Sequence, residues 1–189
     1  MANADRPAGF KPHKGIQRND WYLLMPIELD YGTDIFIGDA VQLAAAGINQ
    51  AAATTVICGV ALEFFDNNYA PILYYKAADY TAGAGTQCYV MVCMDPMQLY
   101  VVQDDAAATG DLSTIGQNCD IVVGTGNSTS GVSAMELGFG SLADTAGLQC
   151  RVLGYERRDD NAPGNNCDWI VQINQTQFAN AGVTGIAGI

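Results

Sequence analysis

Short apolar runs recur along this chain, several alternating with polar residues, and glycine- or proline-rich polar segments separate them. Alternation with a period of two is typical of β-strands that bury one face. The runs predict strands at 35–43, 54–65, 71–76, 88–93, 98–102, 121–123, 135–139, 149–156 and 168–174. Residues 44–53 are predicted to form a loop, because Gly47 interrupts them and no cap frames a helix, and 112–120 a turn of helix followed by loop. With no long amphipathic helix, the pattern predicts a mainly β protein, folded as an antiparallel β-barrel or sandwich.

The strongest local signal is the turn between the runs 88–93 and 98–102, where Asp95 and Pro96 stand. Proline presets the backbone angle that a turn needs, and an aspartate side chain accepts hydrogen bonds from the backbone that follows it. A turn between two strand-like runs is hairpin chemistry. We therefore predict that these two strands pair with each other.

The chain divides into three regions of different composition: an extended N-terminal arm at 1–30, a β-rich body at 31–177 and a Gly/Ala-rich C-terminal tail at 178–189. Pro7, Pro12 and Pro26 punctuate the arm, and each disfavours helix at the preceding residue. The arm also carries an apolar patch that includes Trp21 and Tyr22. Exposed aromatic residues in such a segment indicate docking on a partner. The tail is expected to be ordered only by a neighbour.

Composition and charge narrow the class of protein. Of 189 residues, 49% are hydrophobic and 15% are charged, which excludes a disordered chain, a collagen and a coiled coil. The net charge is −12, yet the first eighteen residues carry Arg6, Lys11, Lys14 and Arg18 against Asp5, a net charge of +3. The acidic remainder would repel phosphates, so no nucleic-acid partner is expected. The basic segment favours an acidic partner, although four solvated basic residues are an equal alternative. No apolar run is long enough for a membrane helix, so no membrane partner is expected.

Six cysteines stand at positions 58, 88, 93, 119, 150 and 167, without a Cys-x-x-Cys pair, and His13 is the only histidine. Zinc sites use paired ligands at short spacing, so neither a metal nor another cofactor is expected. Without a signal peptide the thiols would form in a reducing cytosol, which predicts free, buried cysteines. The odd separation of Cys88 and Cys93 would place them on opposite faces of one strand, where they could not bond to each other.

Enzyme signatures are weak, and no catalytic residue is predicted. His13 alone, on an arm, does not support a nucleophile–histidine pair. Two alternatives stay open. One is a small acidic hydrolase that uses paired carboxylates, for which the obvious doublets are 104–105 and 159–160. The other is a carbohydrate-binding β-module built on Tyr69, Tyr74, Tyr75 and Tyr80, although such tyrosines more often pack across strands.

Several segments, taken in order, resemble capsid decoration proteins of tailed bacteriophages, also called cement or head-stabilising proteins. The opening segment 3–12 reads NADRPAGFKP and leads to 35–41, which reads IFIGDAV. The other similar segments are 89–92 with 95–96 and 100–104, 131–137, and 151–161 with 169–174. Each segment is short, so the resemblance rests on their order along nearly the whole chain. The six cysteines, the apolar patch at 21–24 and the long tail are departures from it.

The resemblance implies a non-enzymatic virion protein on the outer capsid surface, assembled in the cytoplasm of a bacterial host. Such a protein would bind the major capsid protein and lock neighbouring capsomers, as a homotrimer or alternatively a dimer. The candidate residues for contact with the capsid or between subunits are basic or apolar and lie in the arm and the tail: Arg6, Phe10, Lys11, Lys14, Arg18, Trp21, Tyr22, Phe178, Ile186 and Ile189.

Overall fold

The computed structural model describes residues 3–13, 21–80 and 86–178. Within these ranges the chain forms short strands and two 3-10 turns, at Ala77–Asp79 and Leu112–Thr114. The strands are β1 Lys11–Pro12, β2 Tyr22–Pro26, β3 Ala40–Ala44, β4 Gly47–Gln50, β5 Gly59–Phe65, β6 Pro71–Ile72, β7 Tyr89–Cys93, β8 Leu99–Gln103, β9 Asn118–Val122, β10 Glu136–Ala143, β11 Cys150–Tyr155 and β12 Asp168–Ile173. The prediction of a mainly β protein is confirmed.

Two antiparallel sheets make up the fold, and they pack together in a sandwich-like arrangement. The first sheet has the strand order β1-β8-β12-β11-β9-β10. The second has the order β2-β7-β5-β3-β4, and β6 pairs with β5. Isolated parallel bridges join Asp104, directly after β8, to Leu137 of β10 in the first sheet, and Ile27, directly after β2, to Ile48 of β4 in the second.

The inner strands β5 and β7 of the second sheet are buried on both faces, because their neighbouring residues enter two different cores. Val60 and Cys93 join a core shared with the first sheet, where Trp169 is fully buried. Ala61 and Val92, the adjacent residues, enter a second core on the opposite face. A strand buried on both sides reads as a continuous apolar run rather than an alternating one.

The six cysteines are buried and free, as predicted. Cys88 packs in the second core and Cys93 in the shared core, so they lie on opposite sides of the sheet. Burial raises the pKa of Cys58 to about 12. A thiol with so high a pKa stays protonated near neutral pH and is chemically inert.

The predicted hairpin between 88–93 and 98–102 is wrong. The turn itself forms, since Asp95 Oδ1 accepts a 2.8 Å hydrogen bond from Met97 N and Asp95 O accepts one of 3.1 Å from Gln98 N. However, β7 pairs with β2 and β5, whereas β8 pairs with β1 and β12. The turn carries the chain from one sheet to the other. Turn chemistry reverses the chain, but the burial of each strand's apolar side chains selects its partners.

Residues 44–53, predicted to be a loop, contain β4. Gly47, which in the sequence predicts an interruption, begins a strand with φ of 152°. A Cβ at Gly47 would lie 2.7 Å from both Glu28 N and Pro26 O. The glycine is therefore needed for the close approach of β4 to the chain that follows β2. Other predicted bounds shift too, since β5 begins at residue 59 rather than 54. Strand β9 begins at residue 118 rather than 121, so its first three residues lie in the predicted loop.

Candidate interaction surfaces

The N-terminal segment 3–13, which includes β1, is fastened along strand β8 of the first sheet. Gln103 Oε1 accepts a 2.7 Å hydrogen bond from Arg6 N, and Gln103 Nε2 donates to Ala4 O at 3.0 Å and to Asn166 O at 3.1 Å. Asn3 Nδ2 donates to Ala162 O (2.8 Å) and its Oδ1 accepts from Ala162 N (3.1 Å). These amides tie the segment to the β11–β12 connection.

Phe10 is the buried anchor of this segment. Its side chain is 1% exposed and meets the Tyr100 ring edge-on, with centroids 5.6 Å apart. Gly9, at φ of 63°, makes the approach possible, since a Cβ there would lie 2.4 Å from Gly38 O. Phe10 N also donates to Gly38 O at 2.8 Å. Phe10, a candidate contact residue, is thus inside the molecule because the shared core closes over it.

A polar cavity of about 210 Å³ lies between this segment and the β11–β12 connection, lined by Arg6, Lys11 and Arg158. Arg158 Nη2 donates to Asp168 Oδ2 at 2.7 Å, and its Nε donates to Asp160 Oδ1 at 2.9 Å. The hydrogen bond from Arg158 lowers the pKa of the Asp160 carboxyl, and the reciprocal bonds raise the pKa of Arg158. Among the described residues, no carboxylate lies within 4.0 Å of the Arg6 or Lys11 side-chain nitrogens.

Basic residues are concentrated around this cavity. Four of the six lysines and arginines in the described ranges lie here: Arg6, Lys11, Arg157 and Arg158 line it or the adjoining grooves. His13, beside them, has its Nδ1 atom 3.2 Å from Glu156 Oε2. The rest of the surface is strongly acidic, because the whole chain carries a net charge of −12. Arg6, Lys11, Arg157 and Arg158 form what we call the basic face, and it is the part of the described surface best suited to attract an anion.

Strand β2 forms a second surface, which is apolar. Trp21 is 53% exposed and Leu23 50%, and Tyr22 and Leu24 are exposed too. Hydrogen bonds of 2.9 Å join Met94 N to Trp21 O and Ile27 N to Cys88 O at the two ends of the β2–β7 pair. Because bonded positions alternate along an antiparallel pair, Tyr22 and Leu24 direct their backbone N–H and C=O groups away from β7.

That outer edge of β2 is partly covered. Beyond Pro26, Glu28 N donates to Ile48 O at 3.1 Å, so β4 shields the end of the strand. Over Tyr22–Leu24, no other strand from the described parts of the chain pairs with it. Residues 21–27 carry no charge. Within the described residues, an uncharged, apolar sheet edge is thus left open.

No protein-family model, curated protein or solved structure matches this chain. Across the described residues, no helix has the length and apolar character that crossing a membrane requires. The same ranges contain no group of three side chains suited to hold a metal ion.

The candidate residues fall into distinct places. Arg6 and Lys11 are exposed at the cavity, Trp21 is exposed just before β2 and Tyr22 at its start, and Phe178 is 42% exposed. Lys14, Arg18, Ile186 and Ile189 lie outside the described residues. Arg158 is not among the residues predicted from the sequence. Its only sequence signal is the Arg157-Arg158 doublet that opens the polar connection before β12.

Three of the four carboxylates in the acidic doublets, Asp104, Asp105 and Asp160, are hydrogen-bonded or ion-paired, and Asp159 is exposed. Asp104 is fully buried and accepts hydrogen bonds from Trp169 Nε1 (2.9 Å) and Cys167 N (2.7 Å). Burial raises the pKa of Asp104, and these bonds act against the rise. Asp105 Oδ1 accepts from Phe139 N at 3.0 Å, and Asp160 pairs with Arg158. Asp104 therefore fixes the end of β8 to β12.

The tyrosines proposed for a carbohydrate module stack on other rings of this chain. Tyr74 lies 4.6 Å from the Phe36 ring, and Tyr69 lies 4.9 Å from Tyr89, measured between centroids. Tyr75 is buried and stacks on Tyr80 at 5.4 Å. Stacked rings have one face occupied, so this placement gives no specific support to the carbohydrate-binding alternative.

Proposed function

We propose that this chain is a structural virion protein that binds the outer surface of a capsid shell as a homotrimer and cements neighbouring capsomers. Its partners are the major capsid protein and other copies of itself. The proposal combines the resemblance of the chain to phage decoration proteins with two surfaces suited to assembly.

The observation that carries the proposal is the open, uncharged edge of β2. Proteins protect free sheet edges with charged residues, prolines, bulges or a covering segment, because an open edge pairs with other chains. Residues 21–24 contain neither a charge nor a proline. They pair with β7 without a bulge, and no other strand of the described chain covers them. Burying apolar surface is worth about 25 cal/mol per Å², so covering these four side chains would stabilise an assembly. Such an edge fits a protein that works in contact with neighbours.

The basic face supports the same proposal from a different direction. Two of its residues, Arg6 and Lys11, belong to the same N-terminal region as β2. A short stretch of chain therefore presents both a charged and an apolar contact surface. Several weak contacts in one oligomer raise the overall binding strength by about 10² to 10⁴. A ligand that binds the intact shell stabilises it by mass action.

The test is co-sedimentation of the purified protein with empty expanded shells of its own phage over a salt series. We expect saturable pelleting at a fixed ratio to the shell subunit, with a loss at high salt from the basic face. Leu23→Lys is expected to weaken pelleting, because it places a charge on the open edge. Leu112→Lys, a matched change at a residue that is 66% exposed but outside β2, should pellet normally. No pelleting of the wild-type chain would refute the proposal.

A further inference from the structure

We infer that the cavity between the N-terminal segment and the β11–β12 connection binds a carboxylate group presented by a protein. Arg6, Lys11 and Arg158 line it. This inference deepens the proposed function and rests on it only for the identity of the partner, because the cavity can be tested without a shell.

Three of the four amide side chains that line the cavity already form hydrogen bonds within the protein. The side chains of Gln103 and Asn3 form hydrogen bonds with the backbone of Arg6, Ala4 and Ala162. Asn161 Nδ2 likewise donates to Glu156 O at 2.7 Å and to Asp168 O at 3.0 Å. The side-chain donors that the described contacts leave uncommitted are the Arg6 guanidinium, the Lys11 ammonium, the remaining N–H groups of Arg158 and the side-chain amide of Asn166. All but the amide are cationic.

The charge of the site matches a monoanion. Three cations line the cavity together with two carboxylates, Asp160 and Asp168, which leaves one net positive charge. A carboxylate neutralises that charge, and its two oxygens fit the planar fork of a guanidinium. A phosphate would carry more negative charge toward Asp160 and Asp168, in a chain whose net charge is already −12. A carboxylate is therefore the better ligand.

Size points to a small group rather than a large molecule. The cavity measures about 210 Å³, below the roughly 300–1,000 Å³ of sites for drug-sized ligands. An aspartate or glutamate side chain, or a chain terminus, fits such a volume. Two sources could supply it, a second copy of this acidic chain or the shell protein.

The first measurement is an NMR titration of the full chain with acetyl-Glu-Glu-amide, following the Nε–Hε signals of Arg6 and Arg158. We expect saturable shifts at both, weakening with salt, and no saturable shift with acetyl-Gln-Gln-amide. The double variant Arg6→Gln/Lys11→Gln should bind about fivefold more weakly or worse. Arg151→Gln, which removes one charge from β11 outside the cavity lining, is the matched control and should bind like wild type.

Equal shifts with the neutral peptide, or an equal loss in Arg151→Gln, would contradict the site. Tighter binding of inorganic phosphate than of the acidic peptide would overturn the choice of a carboxylate. Sedimentation velocity of the double variant then separates the sources. A smaller oligomer assigns the carboxylate to a second copy, and an unchanged oligomer with weaker shell pelleting assigns it to the shell protein. An unchanged oligomer with unchanged pelleting contradicts a protein carboxylate as the natural ligand.

The two proposals fail separately. If the wild-type chain does not pellet with expanded shells but its cavity still binds the acidic peptide saturably, the proposed function is wrong and the carboxylate site stands. If pelleting is normal and the peptide does not bind, the carboxylate site is wrong and the proposed function stands.

Discussion

The two described stretches of the N-terminal region, 3–13 and 21–26, meet the body in opposite ways. The first places Phe10 in the shared core and fastens its backbone through Gln103. The second, which includes β2, is held by backbone pairing with β7, and the side chains of Trp21 to Leu24 are exposed. One stretch is therefore part of the core, whereas the other presents apolar side chains outward.

The difference shows how a single region of chain can serve stability and assembly at once. A buried aromatic residue and satisfied amides fix the position of the first stretch without any partner. In β2, the apolar side chains that would normally stabilise a strand face solvent at 21–24. Burying these side chains against a partner would lower the free energy of the assembly. Substitutions should therefore act on folding in the first stretch and on association in the second.

The largest effect is expected from Phe10→Ala. Removing a buried phenylalanine leaves a cavity against Tyr100 and should lower the free energy of unfolding by about 3–5 kcal/mol. Urea unfolding at equal protein concentration measures this loss as a lower midpoint with an unchanged slope.

Phe178→Ala makes the same chemical change at a residue that is 42% exposed, so it serves as the control. Its free energy of unfolding should stay within about 0.5 kcal/mol of the wild-type value. If Phe10→Ala were as mild as Phe178→Ala, the first stretch would not be part of the core, and the contrast between the two stretches would disappear.

Phe10 also shows what sequence alone could and could not predict. The prolines around it indicate an extended chain, which is correct locally, but nothing in the pattern indicates that the ring enters the core. Its partners, Tyr100 and Gly38, lie far away in sequence. The same limit explains the hairpin error, because the turn at Asp95 was readable while the partners of β7 and β8 depend on distant strands.

The apolar runs predicted most strands because burial on a sheet acts through local patterning. They failed to predict β4, where Gly47 is needed because the chain after β2 passes too close for any side chain. At the candidate sites, the basic residues Arg6 and Lys11 were readable from local charge. Arg158 was not, because only folding brings residue 158 next to residue 6.

An intermediate effect is expected at Glu136, whose carboxyl faces the charge of Asp5 on the first stretch. Burial, followed by the nearby charges of Asp5, Asp105 and Asp104, raises the pKa of Glu136 to about 7. The folded state therefore holds a proton there that the unfolded chain releases near pH 4.5. The free energy of unfolding is therefore not reduced by Glu136 below about pH 4.5, where the carboxyl is protonated in both states. It falls as the pH rises from there through 7, because the folded state must then hold a partly buried charge.

Glu136→Gln should consequently stabilise the fold at pH 8, by about 1 kcal/mol once screening at this partly exposed group is considered, and give little gain at pH 4. Thermal unfolding at both pH values measures this difference. Glu63→Gln, at an exposed position of β5, is the control. A gain that is equal at the two pH values would show that Glu136 is not the titrating group.

The smallest effect on folding, and the sharpest test of the comparison, is expected from Leu23→Lys. Leu23 is half exposed, and its backbone pairing with Val92 does not depend on the side chain. The free energy of unfolding at low protein concentration should change by no more than about 0.5 kcal/mol. Self-association is expected to fall, because a lysine on an open edge opposes pairing with another strand. Sedimentation velocity at high salt, where repulsion between acidic copies is screened, gives the clearest contrast with wild type. A strong loss of stability together with unchanged association would place β2 among the folding elements and remove the difference between the two stretches.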